Sequence, residues 1–489
     1  MDKTKNQFGS NSSMQNDKAT NKYDEKKEIY KNSNIINNSN NIHYLFSDKN
    51  DSNLTEQKNT EQENNIITNS KNFITKIEKS QFSLDSKSFQ IDNFIKSHQP
   101  QIPVYALHQD FLKKSTSYFI SNFKSFNHKT NILYSVKSNP DQQILKNLFD
   151  NGILNFDVAS LPEVKLINDL FGKKAKMFFM HPIKSRLAIR EAYFTFGIRD
   201  FSLDSFEELQ KILEETNNAK DLSLHLRLAI PNNHSAIDLS RKFGILPDKA
   251  ISLLRKIRIV AKRAGICFHV GSQCMEPLQY RTAIEIANEL LKKSKVNIDI
   301  LDIGGGFPTT YPAMTPPKLS NYFSEIFDAI NQIKLPSHCE IWCEPGRALV
   351  ADAISLIVKV EARKGQMLYL NDGTYGGLFD AGVPAFIYHS KAIAAGNRNL
   401  SNNNIPFGFY GPTCDSLDVM KGPFYLPENI AEGDYIQIGQ MGAYSRSIRT
   451  AFNGFDDNLQ IIVDDQPIIS IYNQENNEEI SGDKINEGK

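Results

Sequence analysis

Four strand-like segments of this chain end in a polar residue or in glycines, and that pattern constrains the fold more than any other feature. A lysine, a histidine and a glutamate each follow an apolar segment, and a fourth segment runs into three glycines: Lys137, His269, Glu344 and Gly304 to Gly306. Between residues 156 and 303, strand-like segments alternate with helical stretches, which is typical of a parallel sheet. A (β/α)8 barrel gathers the carboxyl ends of its strands on one face, so we expect these residues to meet there.

Alternation of side chains predicts where Lys137 points. In an extended strand, Ile132 and Tyr134 face one way, whereas Ser135 and Lys137 face the other. Pro140 cannot continue a strand ladder, so the strand is predicted to end near Lys137. A lysine at the mouth of a barrel can form a Schiff base with an aldehyde cofactor, although an isolated lysine at a strand end is more often simply solvated.

Eight ordered motifs carry a resemblance to a known family. They are Tyr134-Ser-Val-Lys-Ser-Asn139, Phe156-Asp-Val-Ala-Ser160, His269-Val-Gly-Ser272, Asp302-Ile-Gly-Gly-Gly-Phe-Pro308, Glu344-Pro-Gly-Arg347, Gly411-Pro-Thr-Cys-Asp415, Gly442-Ala-Tyr444 and Phe452-Asn-Gly-Phe455. Over residues 100–460 the chain resembles the ornithine decarboxylases that depend on pyridoxal 5'-phosphate (PLP). The resemblance implies a PLP-dependent carboxy-lyase with an α/β + β architecture, in which a PLP-binding (β/α)8 TIM barrel of the alanine-racemase-like fold precedes a mostly antiparallel β-domain.

The resemblance implies a role for each residue around the cofactor. Lys137 would hold PLP as a Schiff base, Glu344 would pair with the pyridine nitrogen, and His269 would stack on the ring. The phosphate would be held by hydroxyls, backbone amides and one guanidinium: Ser272, Gly304, Gly305, Gly306, Arg347 and Tyr444. A polar network beneath them would comprise Asp157, Glu163 and Arg227, for which a structural ion-pair role is as plausible as a catalytic one. No metal is expected, because no second histidine stands at metal-ligand spacing from His269.

The resemblance also implies an active site shared between two subunits of a homodimer. Cys414 would reach into the partner's site and protonate the carbon left after carbon dioxide departs, and Asp415 would bind the distal ammonium of a diamino acid. Phe452 is similar to an aromatic residue that lines the same pocket, although a core role is nearly as plausible. This chain lacks the Tyr-Asp pair that eukaryotic members carry in a loop of the second domain. We hypothesise that Asp380 supplies the missing carboxylate.

Three functions remain open at this point. The favoured one is decarboxylation of a basic diamino acid, L-ornithine to putrescine with L-lysine to cadaverine as a second reaction, in polyamine biosynthesis. A diaminopimelate or carboxynorspermidine-type decarboxylase is the second, but Asp415 would repel the distal carboxylate of diaminopimelate. The third is an inactive regulator that resembles antizyme inhibitor, although Lys137, Glu344 and Cys414 are all present.

Length and composition predict two domains with an appendage at each end. A chain of 489 residues exceeds what one hydrophobic core usually supports. Residues 1–80 contain seventeen asparagines, one glycine and no proline, so we expect a disordered extension there. Residues 81–109 are predicted to supply the first strands of the β-domain, 110–349 the barrel, 350–472 the rest of the β-domain, and 473–489 a mobile tail.

Charge and cysteine content narrow the expected partners and compartment. The 56 basic and 56 acidic residues balance, which gives no indication of nucleic acid or of an anionic membrane surface. No apolar run is long enough to span a bilayer, and the amino terminus lacks the apolar core of a secretory signal. Five scattered cysteines indicate a reducing compartment. We therefore expect a cytoplasmic protein whose partners are an amino acid substrate and a second copy of itself.

Overall fold

A computed structural model describes residues 88–125, 127–231, 235–237 and 242–473 of the chain. The predicted disordered extension of residues 1–80, the start of the 81–109 segment and the predicted tail beyond residue 473 lie outside the described residues.

Eight parallel strands close a barrel in the first half of the described chain. In order around the barrel they are β2 (Thr130–Ser135), β3 (Asn155–Val158), β4 (Lys176–Phe179), β5 (Asp200–Leu203), β6 (Ser223–Arg227), β8 (Arg263–Cys267), β10 (Ile300–Asp302) and β11 (Glu340–Cys343). The last strand, β11, pairs with β2 and closes the ring. The predicted (β/α)8 barrel is therefore confirmed.

Helices alternate with these strands around the barrel. They are α2 (Gln109–Asn122), α3 (Gln142–Asp150), α4 (Leu161–Phe171), α5 (Arg186–Phe194), α6 (Phe206–Glu215), α7 (Pro247–Val260), α8 (Leu278–Ser294) and α9 (Leu319–Gln332). Four of them begin in the same way, because a side-chain oxygen of Asp141, Ser160, Ser185 or Ser205 accepts a hydrogen bond from a first-turn backbone N–H. Such caps satisfy donors that a helix start otherwise leaves unpaired.

The strands divide their side chains between two cores. Leu133, Phe178, Cys267, Ile300 and Trp342 pack together as a separate cluster in the barrel interior. Their strand neighbours, such as Tyr134, Ile266 and Ile341, belong to the large core that includes the helices. Side chains along each strand thus alternate between the barrel interior and the helices, as predicted. Residues that follow the last interior-facing position of a strand therefore lie at the barrel mouth.

A second, mostly antiparallel sheet is built from both ends of the described chain. Its strands are β1 (Val104–His108), β12 (Ile354–Lys364), β13 (Met367–Leu370), β14 (Ser390–Ile393), β15 (Asn404–Tyr410), β16 (Val419–Pro427), β17 (Tyr435–Ile438) and β18 (Leu459–Val463). Strand β1 precedes the barrel in sequence yet pairs with β12 and, in parallel, with β18. Short helices α1 (Ile91–His98), α10 (Arg347–Val350) and α11 (Phe379–Gly382) complete the described chain, together with a small antiparallel ribbon of β7 (Ser235–Ile237) and β9 (Ser272–Cys274).

Lys137 and His269 each lie two residues beyond the end of a strand, in agreement with the prediction that they follow strand-like segments. Strand β2 ends at Ser135, and Lys137 lies in a 3₁₀ turn, Val136–Ser138, because the hydroxyl of Ser138 donates to the carbonyl of Ser135 (2.7 Å) and tightens the chain there. Strand β8 likewise ends at Cys267, so His269 follows the strand instead of lying in it.

The loop that contains Gly442 and Tyr444 brings the second domain against the mouth of the barrel. The amide nitrogen of Asn139 donates to the carbonyl of Gly442 (2.8 Å), and the backbone N–H of Tyr444 donates to the carbonyl of Ser138 (2.8 Å). This loop therefore lies beside Lys137. Among the described residues, no helix is long and apolar enough to cross a membrane.

Candidate active site

Lys137 and Asp157 form the first contact of the site. Asp157 lies in β3, in register with Ser135 of β2, and its buried carboxylate accepts from the Lys137 ammonium (2.6 Å) and from the Ser135 hydroxyl (2.9 Å). The Lys137 side chain is 42% exposed, since it faces a cavity of about 560 Å³ that Glu163 and Tyr444 also line. Burial alone would lower the pKa of Lys137, but Asp157 and Glu344 outweigh it, so the pKa is raised and the ammonium form is favoured.

A pair of buried carboxyl groups lies deeper in the barrel. Asp302 ends β10 and Glu344 follows β11. Burial, then the charges of Asp302 and Asp157, raise the pKa of Glu344 well above its ordinary value. Burial also raises the pKa of Asp302, against hydrogen bonds from the N–H of Gly304 and from Glu344. Two adjacent buried carboxyls disfavour each other's ionised forms, so this environment favours the protonated form of the pair, against the charges of Lys137 and Arg227.

Arg347 marks the other end of the site. Its guanidinium donates to the Tyr311 hydroxyl (2.7 Å), to the Ser272 hydroxyl (3.4 Å) and to the Asp380 carboxylate (3.4 Å). The ring of Tyr444 lies 5.0 Å from it. Burial would lower the pKa of Arg347, but its phenol and carboxylate neighbours, Tyr311 first, raise it above its ordinary value. Arg347 is therefore a fixed cation.

The glycine run packs against the strand that begins with Ser272, a hydrogen-bond partner of Arg347. Cys274 donates its backbone N–H to the carbonyl of Gly306 (2.9 Å), which brings β9, with Ser272 at its start, against the glycine run. Gly304 has φ +70°, and a Cβ there would lie 1.9 Å from the carbonyl oxygen of Phe268, so this position requires glycine. Ser272, the glycine run, Arg347 and Tyr444 thus line one region, and this donor set suits a phosphate.

His269 lies between the two ends as a neutral ring. Its Nδ1 accepts from the backbone N–H of Gly271 (2.9 Å), which assigns the ring proton to Nε2. Burial, and then the charges of Arg227 and Lys137, lower the pKa of His269 well below its ordinary value. Arg227 itself ends β6 and is largely buried. No cluster of three potential metal ligands occurs in the described part of the chain, so His269 belongs to no metal site there.

One predicted network residue, Glu163, has a local structural role in addition to its place near Lys137. Glu163 accepts from the backbone N–H of Ala159 (2.7 Å), and Ser160 accepts from the backbone N–H of Glu163 (3.4 Å). These reciprocal bonds resemble a capping box at the start of α4. Burial raises the pKa of Glu163. Asp157, by contrast, contacts Lys137 directly.

The remaining predicted site residues lie apart from Lys137, on the second domain. We call Tyr375, Cys414, Asp415 and Phe452 the Cys414 cluster. The Tyr375 hydroxyl donates to Asp415 (2.5 Å), the rings of Tyr375 and Phe452 are 4.9 Å apart, and the Cys414 backbone N–H donates to Asn453 (3.1 Å). Cys414 and Phe452 are exposed. Among the described residues, the hydrogen bonds of Cys414 and Asp415 stay within the second domain.

Asp380 is not part of that cluster. It lies in α11, is buried, and forms its ion pair with Arg347 (3.4 Å). Its contact with the distal ammonium of the substrate therefore stays a prediction, whereas its contact with Arg347 is observed.

The residues present fit PLP. Among the described residues, three buried polar atoms of the site have no partner: Oδ2 of Asp302 and, at the two ends of the site, Oε1 of Glu344 and Nε of Arg347. A carboxylate oxygen suits a protonated pyridine nitrogen, and a guanidinium N–H suits a phosphate oxygen, so the two atoms match the two ends of the cofactor.

Sequence reasoning missed Asp302, Tyr311 and Tyr375 as site residues. Asp302 stood in a quoted motif, and its position after Ile300 in an alternating strand could have indicated that it faces the interior. Tyr311 follows the glycine run, but nothing in the sequence indicated its bond to Arg347. Tyr375 stood in the loop that departs from the family pattern, without a signal of its own.

Comparisons with known proteins agree with this geometry. The family model described as "Pyridoxal-dependent decarboxylase, pyridoxal binding domain" matches residues 113–351. The lysine/ornithine decarboxylase of Selenomonas ruminantium is 32% identical over 349 residues, which cover 69% of this chain and 85% of that protein. Antizyme inhibitor 2 of Xenopus laevis is 31% identical, with 66% of this chain and 73% of that protein covered. The crystal structure of the arginine decarboxylase of Paramecium bursaria Chlorella virus, bound to agmatine, superposes with a TM-score of 0.67 at 27% identity, and covers 76% of this chain and 99% of that chain.

Proposed function

This chain belongs to the family of PLP-dependent ornithine decarboxylases, and from that premise we propose that it converts L-ornithine to putrescine, with L-lysine to cadaverine as a second reaction. Its relatives show that it is a PLP-dependent decarboxylase of basic amino acids. The observation that supports the proposal most strongly is the set of unsatisfied buried atoms, Glu344 Oε1 and Arg347 Nε, at the two ends of the site that contains Lys137. Polyamine biosynthesis and a cytoplasmic location are part of the proposal.

PLP, when bound, accepts the electron pair that the departing carboxylate leaves behind. Lys137 is the residue proposed to bond to the cofactor, with Asp157 orienting its ammonium. Glu344 would pair with the ring nitrogen, and its carboxylate would favour the protonated form of the ring. Ser272, Gly304, Gly305, Gly306, Arg347 and Tyr444 would hold the phosphate, and His269, as a neutral flat ring, would stack on the pyridine face.

We propose that a second subunit completes the site at the substrate's distal end. Cys414 is exposed, and the hydrogen bonds of Cys414 and Asp415 among the described residues stay within the second domain, although decarboxylation needs a proton donor at the reacting carbon. We therefore assign Cys414 as that donor in the partner's site. Asp415 would bind the distal ammonium there, and Phe452 would line the same pocket. A homodimer follows as part of this proposal.

Two competing functions are retained as alternatives. A diaminopimelate or carboxynorspermidine-type decarboxylase would use the same barrel, but Asp415 opposes a distal carboxylate. An inactive regulator is a second candidate because antizyme inhibitor 2 is among the relatives. Against it, Lys137 contacts Asp157, and the Asp302–Glu344 pair and the Arg347 contacts are all in place.

The deciding experiment measures carbon dioxide release from ornithine, lysine, arginine and meso-diaminopimelate with PLP present. We expect release from ornithine first and lysine second, and a loss of at least about 10³-fold in Lys137→Ala. Release only from diaminopimelate would show that the Asp415 pocket is misassigned. No release from any substrate, and no visible absorbance from bound PLP, would favour the regulator. Bound PLP without release would indicate a different substrate, for which carboxynorspermidine is the next compound to assay.

A further inference from the structure

A buried aspartate, Asp418, lies at the base of the loop that carries Cys414 and Asp415. The loop joins β15 to β16, and the backbone N–H of Gly411 donates to the carbonyl of Asp418 (3.0 Å), which closes the base of the loop. Asp418 is buried, whereas Cys414 is exposed. The proposed function uses the exposed part of this loop and leaves the buried carboxylate without a role.

The Asp418 carboxylate joins this loop to the loop that carries Tyr375. Its Oδ1 accepts from the backbone N–H of Thr374 (2.7 Å), and its Oδ2 accepts from the backbone N–H (3.0 Å) and the hydroxyl (2.7 Å) of Thr413. Thr374 precedes Tyr375, and Thr413 precedes Cys414. One carboxylate therefore fixes the backbone directly before two members of the Cys414 cluster.

Two glycines let both loops approach the carboxylate this closely. A Cβ at Gly373 would lie 2.2 Å from Oδ1 of Asp418, and a Cβ at Gly411 would lie 2.1 Å from the same atom. Both distances are shorter than any real contact of a Cβ atom, so neither position has room for a side chain while Asp418 holds both loops. The two loops are thus built around this carboxylate.

The third segment of the Cys414 cluster, residues 452–457, is held on the same loop by a second buried carboxylate. Asp372 accepts from the guanidinium of Arg449 (3.0 Å), which donates to three backbone carbonyls of the segment. Asn453 of this segment accepts from the backbone N–H of Cys414 (3.1 Å). The backbone of Cys414 is therefore held from a second side.

We propose that Asp418 is a positioning residue that holds Cys414 and Asp415 in place for the reaction. The inference rests on the proposed function, which assigns Cys414 as the proton donor and Asp415 as the ligand of the distal ammonium. Asp418 touches no reacting atom and acts through Thr413, whose N–H and hydroxyl it binds. Proton transfer depends steeply on distance, so a donor that moves by about 1 Å can lose about 10²-fold in rate.

Replacement of Asp418 in the full-length protein tests this role. Asp418→Ala removes all three hydrogen bonds, so we expect kcat for ornithine to fall about 10- to 100-fold while the absorbance of bound PLP stays unchanged. Asp418→Asn keeps one acceptor oxygen for Thr413 and should recover most of the loss. Asp434→Ala is the matched control, because Asp434 is a buried aspartate of the same domain that accepts from the backbone N–H groups of Ala395 (3.0 Å) and Ala431 (2.9 Å). It should leave kcat within about twofold of the wild type.

A double-mutant cycle shows whether Asp418 acts through Cys414. In a Cys414→Ala background, Asp418→Ala should lower kcat no further, since the donor that it positions is absent. An equal fall in both backgrounds would overturn the proposal. If Asp418→Ala does not fold, Thr413→Val decides, because it removes only the hydroxyl donor. We expect it to lower kcat about threefold, with Thr413→Ser at the wild-type value.

Hydrogen–deuterium exchange tests the loop without a substrate. In a peptide that spans residues 411–417, we expect exchange at least about fivefold faster in Asp418→Ala and unchanged in Asp434→Ala. Unchanged exchange in Asp418→Ala, or faster exchange with the wild-type kcat, would overturn the positioning role. If the wild type decarboxylates no substrate, the proposed function fails, and exchange still decides whether Asp418 holds the loop.

Discussion

The barrel mouth and the Cys414 cluster use similar residues in opposite environments. At the mouth, Asp157, Glu344 and Arg347 are buried, and burial together with neighbouring charges shifts the pKa of Glu344 and of Arg347. In the Cys414 cluster, Asp415 is partly exposed, and its pKa is lowered by the N–H of Leu417 and by the Tyr375 hydroxyl, without help from burial. The first region is organised by buried contacts within one chain, whereas Cys414 and Phe452 of the second are exposed.

That contrast has an energetic consequence. Buried charges cost several kcal/mol each unless partners compensate them, so the mouth is a destabilising region whose unsatisfied atoms a ligand can pair. The exposed Cys414 and Phe452 carry no such cost, and in the proposed dimer a second molecule would cover them and lower the local dielectric. Cofactor binding and dimerisation should therefore depend on different residues.

The largest expected effect separates the two regions by complementation. Cys414→Ala should lower kcat about 10²- to 10⁴-fold, because it removes a proton donor, while the visible absorbance of bound PLP stays unchanged. Mixing it with Lys137→Ala should restore about a quarter of wild-type activity, since half of the dimers are mixed and each mixed dimer has one intact site. No recovery, with subunit exchange demonstrated by mass spectrometry, would show that each site is formed within one chain.

Burial should also appear in the pH dependence of stability. Burial raises the pKa of Asp352 to about 6 from its ordinary 3.8, although Thr309 and Ile471 hydrogen-bond to its carboxyl group. Since the folded-state pKa is the higher one, the associated stability is complete below about pH 4 and is lost as the pH rises through about 6. The loss is about 3 kcal/mol.

Chemical denaturation between pH 4 and pH 7 measures this loss. We expect the free energy of unfolding of the wild type to fall relative to that of Asp352→Asn over this range. Asp415→Asn, at a partly exposed carboxylate, is the control and should not remove the difference. Parallel curves for the wild type and Asp352→Asn would contradict the assignment.

A substitution of Asp380 tests whether the proposed phosphate-binding end of the site acts separately from the substrate-binding end. Its carboxylate competes with a phosphate for Arg347, so Asp380→Asn should lower the Kd for PLP about tenfold. Fluorescence titration with PLP measures the change, and Asp456→Asn, an exposed aspartate, is the control. If Asp380 instead binds the substrate's distal ammonium, the KM for ornithine will rise while the Kd for PLP stays the same.

The sequence predicted which residues lie at the barrel mouth better than it predicted the contacts between them. Strand periodicity placed Ser135 on the face opposite Ile132 and Tyr134, where its hydroxyl contacts Asp157, because alternation is a local property of the backbone. It could not predict that Ser138 tightens the chain into a 3₁₀ turn at Lys137, nor that Asp380 contacts Arg347, since residues far apart in sequence meet only after packing. The bond between Tyr375 and Asp415 joins positions 40 residues apart and is of the same kind.

That bond carries the smallest expected effect. Tyr375→Phe keeps the ring against Phe452 but removes the hydroxyl that holds the Asp415 carboxylate. If Asp415 binds the substrate's distal ammonium as proposed, loss of this partly buried bond leaves its carboxylate less well held. We therefore expect about a fivefold rise in the KM for ornithine, with kcat and PLP absorbance nearly unchanged. Tyr425→Phe, at an exposed tyrosine, is the matched control. A fall in kcat with an unchanged KM would instead connect Tyr375 with the proton transfer from Cys414, and the two regions would then share one catalytic step.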